Sequence, residues 1–348
     1  MTPAWVLPSF LARVQSATRV DEDDVIVTLT LNPAVDKTIR MPQIATGEVN
    51  RVQESLLDPG GKGINVTRLA DRLGWPSIAF GFLGGEIGEI VERSLQKEGV
   101  QSHFVQVPGQ TRLNVTIFDE STGRGTSFYD RGPEVSIERI NHLTAQVRPW
   151  LLVKPVLVLA GSLPLGAPDD VYADYIALAH SAGAKTMLDT TGEPLRLGVR
   201  SHPYLVKPNV AEAEQLVGRP LTDLSSVVGA AQEIHAMGAA VVVISMGAQG
   251  AICLQDDTVW HAIPPRIVRR STVGSGDSMV AGLAISIARG EDISTGLRLG
   301  TAAGAATAMV PGTALGDAAD IARLMPQVRV TRLAVRGPQN QSARGVAR

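Results

Sequence analysis

At 348 residues the chain is long enough for one large α/β domain with an appendage. Its 32 basic and 34 acidic side chains leave a formal charge of −2, which excludes the broad basic surface of a nucleic-acid-binding protein, so any phosphate recognition is local. Hydrophobic residues make up 44% and aromatics only 4%, and the sole cysteine, Cys253, excludes a disulfide within the chain and a thiolate metal cluster, as suits a reducing cytoplasm.

Residues 1–24 hold an apolar patch from Trp5 to Leu11 that is broken by Pro8, has no basic start and runs into Asp21-Glu-Asp-Asp24. They read as a flexible leader rather than a signal peptide. The first strand is Val25-Ile-Val-Thr-Leu-Thr-Leu31, stopped by Asn32-Pro33. Pro59-Gly60-Gly61-Lys62-Gly63 introduces a helix with Val66, Leu69, Ala70 and Leu73 on one face and Gly74 as its stop. Ser77 to Leu83 reads as a strand and Gly88 to Glu98 as a helix. Residues 37–58, joined by two strand-like runs within 112–131, are expected to form a small β lid, because a lone hairpin is marginal in water. Strands at Val156–Leu159, Lys185–Leu188, Tyr204–Val206 and Ala240–Ser245 then alternate with helices over 168–182, 209–217 and 224–237, the rhythm of crossovers in a parallel sheet. A helix follows Gly274-Ser-Gly276, and another occupies about 295–309.

The expected fold is therefore α/β, a doubly wound, mainly parallel sheet with helices on both faces. One domain spans 25–328 with the lid inserted in it, and 329–348, which carry five arginines and no acid, read as a solvated, disordered tail. No stretch reaches the ~18 uninterrupted apolar residues of a membrane span. The six histidines show no i, i+4 pairing, so a histidine metal site lacks support.

Three runs carry candidate chemistry. In Thr272-Val-Gly274-Ser275-Gly276-Asp277, small residues before a helix leave backbone N–H groups pointing outward, where the helix dipole favours an anion. The same field would keep Asp277 ionised, so that it can take a proton from a hydroxyl beside a phosphate. The alternative is a tight turn with an N-terminal helix charge. The run is neither a Walker A loop nor a dinucleotide fingerprint. In Asp58-Pro-Gly60-Gly61-Lys62-Gly63-Ile-Asn65 a second glycine turn adds a cation and an amide suited to a sugar phosphate, although such turns are often structural only. In Lys207-Pro-Asn209-Val-Ala-Glu212, Asn209 and Glu212 could face Mg²⁺ through water and Lys207 could face phosphate, or the pair could simply cap the next helix. Asp36 lies past the end of the first strand, where ligands bind in open α/β sheets, or it makes a turn after Asn32-Pro33. Arg112 opens Thr111-Arg-Leu-Asn114, as a ligand or a solvated edge charge.

Together with Ser245-Met-Gly247-Ala-Gln-Gly250 and Ala160-Gly-Ser-Leu-Pro164, in this order and spacing, these runs resemble the ribokinase-like phosphofructokinase B family of sugar kinases from about Val25 to Leu324. The resemblance implies a three-layer α/β/α core, a β lid that often serves as a homodimer contact, and transfer from ATP, with Mg²⁺, to a primary hydroxyl. By motif, Asp277 resembles the base, and Gly274, Ser275 and Gly276 its anion hole, with Ser275 where the family commonly has Ala. Lys207, Asn209 and Glu212 resemble the Mg–phosphate motif, while Ser245, Gly247 and Gly250 resemble nucleotide contacts. Leu31-Asn-Pro-Ala-Val-Asp36, Gly47-Glu-Val-Asn-Arg51 and the pairing of Lys62 with Arg112 look like the branch acting on ketohexose phosphates. The resemblance implies that Lys62, with Gly61, and Arg112 grip the phosphate already on the sugar, and Asp36, Asn65 and Asn114 its hydroxyls. Fructose 1-phosphate is the favoured substrate, with fructose 6-phosphate and tagatose 6-phosphate as alternatives. Outside the enzyme class, the alternative is an inactive sugar-phosphate sensor, which has no chemical reason to keep Gly-Ser-Gly-Asp.

Overall fold

The run at Val25–Leu31, buried at every position with Thr28 and Thr30 included, becomes an interior strand of the main sheet, as such a run must when a strand is covered on both faces. A computed structural model describes residues 25–153 and 155–334. In chain order its elements are β1 (Ile26–Thr30), β2 (Ala34–Met41), β3 (Glu54–Gly60), α1 (Lys62–Arg72), β4 (Ser77–Leu83), α2 (Gly85–Glu98), β5 (Gln101–Gln106), β6 (Arg112–Asp119) and β7 (Arg124–Phe128). There follow α3 (Ile137–Val147), β8 (Val156–Ala160), α4 (Val171–Ala182), β9 (Lys185–Asp189), α5 (Gly192–Arg200), β10 (Leu205–Val206), α6 (Val210–Val217), α7 (Leu224–Met237) and β11 (Val241–Ser245). The last elements are β12 (Ala251–Gln255), β13 (Thr258–Ile263), α8 (Ser275–Ala288), α9 (Ile293–Ala308), α10 (Ala318–Leu324) and β14 (Arg329–Leu333).

The main sheet has ten strands in the order β14-β13-β12-β11-β10-β9-β8-β1-β4-β5. From β5 to β11 every pairing is parallel, and from β11 to β14 every pairing is antiparallel. Alternation along β1 sends Val27 and Leu29 into one core cluster with Leu143, Tyr172, Val199 and Ile234, and Ile26 into the other with Val66, Leu283, Ala302 and Ile321. Helices α3, α4, α5 and α7 thus cover one face, and α1, α8, α9 and α10 the other, which makes the expected three layers.

The lid is a separate sheet, β3-β2-β6-β7, close to the segments anticipated for it. β2 runs parallel to β6, which places Asp36 opposite Asn114, and antiparallel to β3, which places Asp36 opposite Asp58.

The expected tail needs correction at its start. Residues Arg329–Leu333 form β14 and pair with β13, with Val330 and Leu333 packed against the two cores. The open ladder of β13 draws them in, because an uncovered edge leaves its N–H and C=O groups unpaired. The helix expected to follow Gly274-Ser-Gly276 begins earlier, at Ser275, so two of those residues lie in its first turn. The leader at 1–24 and the tail from 335 lie outside the described residues. Among the described residues no helix is long and apolar enough to cross a membrane.

Candidate active site

The carboxyl ends of the parallel strands share one edge of the sheet, where the βα loops open into a cleft. β1 delivers Asn32, β9 delivers Asp189, β10 is followed by Lys207, and β11 ends at Ser245. A bridge between Asn209 and Ser245, with Ser245 N–H donating to Pro208 C=O at 3.0 Å, holds the two expected nucleotide-contact runs side by side.

Gly274 caps α8 with φ +75°, a left-handed conformation that glycine adopts without a Cβ penalty. Ser275 N–H turns back to Thr272 C=O at 3.4 Å and Ser278 N–H bonds Gly274 C=O at 2.8 Å. The N–H groups of Gly274, Gly276 and Asp277 have no acceptor among the described residues and could receive an anion, whereas that of the expected donor Ser275 is taken by Thr272. The Ser275 hydroxyl is buried without a partner, so the donors this turn can offer an anion are main-chain amides, which an alanine there would leave in place.

Asp277 is buried at 8% exposure, and its Oδ2 accepts from Asn65 Nδ2 at 2.8 Å. Burial and the neighbouring Asp189 charge push its carboxyl up to about 6, against the pull of Lys62, the Asn65 bond and Lys207. The expected ionised state at the helix start is thus opposed by desolvation and by the like charge of Asp189, which raise the carboxyl rather than lower it. At neutral pH the group is still chiefly a carboxylate, poised to take a proton.

The glycine turn before α1 meets this acid. Gly61 takes φ +123°, a Cβ on Gly63 would lie 2.5 Å from Thr30 Oγ1, and a Cβ on Gly60 would strike the Asp36 carboxylate. These contacts let α1 start directly over the end of β1 and aim Lys62 and Asn65 into the cleft. Lys62 Nζ donates to Asp189 Oδ1 at 2.8 Å, while Lys207 Nζ stands 3.3 Å from Asp189 Oδ2. Burial alone would lower the Lys62 ammonium, but the charges of Asp189 and Asp277 lift it above its ordinary range. Burial would raise Asp189, but Lys207 and Lys62 hold it below the usual carboxylate range.

On the lid side, Asn114 Nδ2 donates to Asp36 Oδ1 at 2.8 Å, and Asn114 Oδ1 is buried without a partner. Burial raises the Asp36 carboxyl against that hydrogen bond. An orphaned acceptor beside a carboxylate suits sugar hydroxyls. Arg112 donates from Nε to the carbonyls of Asn32 and Pro33 at 3.1 and 3.4 Å, which fixes its planar head at the same strand end.

Asn209 and Glu212 form a complete capping box on α6, with Glu212 N–H donating to Asn209 Oδ1 and Asn209 N–H to Glu212 Oε2. The capping alternative is therefore real, but it leaves Glu212 Oε1 open, and Glu212 lies close enough for its charge to act on Lys62. Gly247 has φ +58° and Gly250 φ +89°, and a Cβ on Gly250 would overlap Ala262 C=O, so Gly250 serves the β12–β13 approach directly. Among the described residues no three His, Cys, Asp or Glu converge as a metal cage.

Sequence reasoning missed two members. Asp189 ends β9 in the same position that singled out Asp36, so strand-end placement could have found it. Arg68, on α1, is buried and bonds Glu98 and Pro59 C=O, bracing the glycine turn from behind, and no motif marks it.

Free amides at a helix start, a buried acid and two ammoniums, facing a β lid across a sheet edge, are the equipment of a phosphotransferase acting on an alcohol. The chain belongs to the pfkB family of carbohydrate kinases, whose family model matches residues 29–319. It is 35% identical over 309 residues to the 1-phosphofructokinase of Bacillus subtilis strain 168, an alignment covering 89% of this chain and 100% of that one. To the 1-phosphofructokinase of Rhodobacter capsulatus it is 38% identical over 284 residues, 80% of this chain and 88% of the other. Its structure matches phosphofructokinase-2 from Escherichia coli, solved with potassium, with a TM-score of 0.82 at 34% identity, covering 87% of this chain and 98% of that one.

Proposed function

We propose that the protein transfers the terminal phosphoryl group of ATP to a ketohexose phosphate, converting fructose 1-phosphate to fructose 1,6-bisphosphate. One observation carries this reading: Asp277, buried and hydrogen-bonded by Asn65, lies in the turn whose amides are free to bind an oxyanion. The relatives named 1-phosphofructokinase support the choice of sugar. Arg112 supplies a cation for the phosphate the sugar already carries, and Asp36 with Asn114 receives its hydroxyls, whereas Lys62, bonded to Asp189 within reach of the Asp277 charge, belongs to the transfer end rather than to that phosphate.

Asp277 takes the proton of the C6 hydroxyl as that oxygen bonds to the γ-phosphorus, and the bond to ADP breaks on the opposite side. The amides of Gly276 and Asp277 and the ammoniums of Lys62 and Lys207 balance the charge that builds on the equatorial oxygens. Glu212, which keeps one carboxylate oxygen outside the cap, and Asn209 would hold Mg²⁺ on the nucleotide side. When bound, it would neutralise phosphate charge. Ser245 and Gly247 line the nucleotide side. We place the enzyme in the cytoplasm, as a homodimer joined through the lid.

The test is kcat/KM measured with fructose 1-phosphate, fructose 6-phosphate and tagatose 6-phosphate. Fructose 1-phosphate should lead by about tenfold or more, the scale of one well-placed phosphate contact. A lead by either other sugar would move the assignment within the branch. No turnover with any of the three would favour the sensor.

A further inference from the structure

Asp189 has no role in the sequence motifs, yet it is the most heavily engaged charged group in the cleft. It is 2% exposed, with one carboxylate oxygen on each ammonium, Lys62 at 2.8 Å and Lys207 at 3.3 Å. Thr190, the next residue, anchors the strand end by donating to Gly161 C=O at 2.8 Å, and Lys207 N–H donates to Leu188 C=O at 3.0 Å. Both ends of the Lys207 contact are thus fixed by the backbone. A Cβ placed on Gly276 would lie 3.6 Å from Lys207 Nζ, so that ammonium sits against the anion-hole turn. The Lys62 side chain is 35% exposed and opens toward the cleft.

A buried carboxylate needs one counter-charge, because unpaired burial is costly. Asp189 has two, so the trio carries a formal +1. With Asp277 ionised, the four side chains sum to zero. When Asp277 takes a proton, they sum to +1 at the moment negative charge develops on the phosphoryl group. The surplus appears when the reaction needs it.

We propose that Asp189 is the positioning residue of the phosphoryl-transfer site. It holds the Lys62 and Lys207 ammoniums on two sides of one carboxylate so that both flank the phosphoryl group at Gly276, and it binds no metal. This rests on the kinase reading for its purpose, but the geometry belongs to the chain's own residues and is testable without substrate. The charged groups facing Asp189 are Lys62, Lys207 and Asp277, with Glu212 beyond Lys62 and the buried Tyr172 hydroxyl behind it.

The experiment follows Asp277 in ligand-free protein by ¹³C carboxyl NMR, its signal identified by its loss in Asp277→Asn. In Asp189→Asn the midpoint should fall by one pH unit or more, since a like charge is removed and the lysines are freed. In Lys62→Met, which leaves Asp189 paired with Lys207, it should rise. Unchanged midpoints in both would overturn the proposal, and Lys62→Met decides alone if Asp189→Asn does not fold. In turnover, Asp189→Asn should lower kcat about 100-fold or more, with the KM for sugar phosphate and the Mg²⁺ concentration for half-maximal rate each within twofold of wild type. Adding Lys62→Met to it should cost less than threefold more, because Asp189 acts through that lysine. Recovery of kcat at tenfold higher Mg²⁺ would instead make Asp189 a metal ligand and sink the idea. A wild-type protein inactive on every sugar would refute the kinase reading, while the NMR midpoints would still decide the positioning claim.

Discussion

Asp277 stands in an environment that makes its charge expensive to maintain and useful once maintained. Its carboxyl is raised from 3.8 to about 6 by burial and by Asp189. The proposed base works only ionised, so kcat/KM should fall as pH drops through about 6, and a plot of log kcat/KM against pH from 5 to 9 checks this. Asp277→Asn should reduce kcat about 10³-fold at pH 7.5, within the usual range for losing a general base. The same substitution should strengthen the fold. Because the folded value lies above the unfolded one, this carboxyl costs the fold nothing below pH 3.8, costs more as pH rises toward 6, and above it costs on the order of 3 kcal/mol. The neutral, near-isosteric amide escapes that penalty. Urea midpoints of the variant and wild type should therefore separate at pH 7.5 and converge near pH 4.

Helix α8 carries Asp277, and its position depends on how closely it approaches α9. A Cβ on Gly282 would lie 2.6 Å from both Cα and N of Gly300, which leaves no room for even a methyl group. Gly296 and Gly304 give α9 the same small face against Ser286 and Ser275. Gly282→Ala should therefore force the helices apart, cost about 1–3 kcal/mol in urea denaturation, and lower kcat by shifting the anion-hole turn. Intact kcat alongside the lost stability would show that the turn is held by other contacts. Helix α1 is braced differently: buried Arg68 joins α1 to Glu98 at the end of α2, tying the lysine-bearing helix to its neighbour.

At the scale of the molecule, the lid is the element least able to stand alone. Its strands expose Leu56, Leu57 and Phe128, with Tyr129 just beyond β7 and Val49 and Val52 in the loop before β3. A four-stranded sheet with such surface calls for a cover. Light scattering should give the mass of two chains for wild type, and Leu57→Glu, with Leu57 at 52% exposure, should shift it to one. A wild-type mass of one chain would refute the lid-mediated dimer.

The sequence by itself determined the parallel α/β core, the lid segments and the two glycine turns, because these rest on local periodicity and on backbone conformations that only certain residues adopt. Asp277, Lys62, Asn65, Asp36 and Arg112 were legible for the same reason: each stands at a fixed offset from a strand end or helix start. The tertiary structure alone decided that Asp189 joins Lys62 to Lys207, that Asn65 donates to Asp277, and that Arg329–Leu333 closes the sheet edge. These partners lie far apart in the chain, and Coulomb energy, desolvation and unpaired ladder groups depend on distances and burial that no run of residues encodes locally.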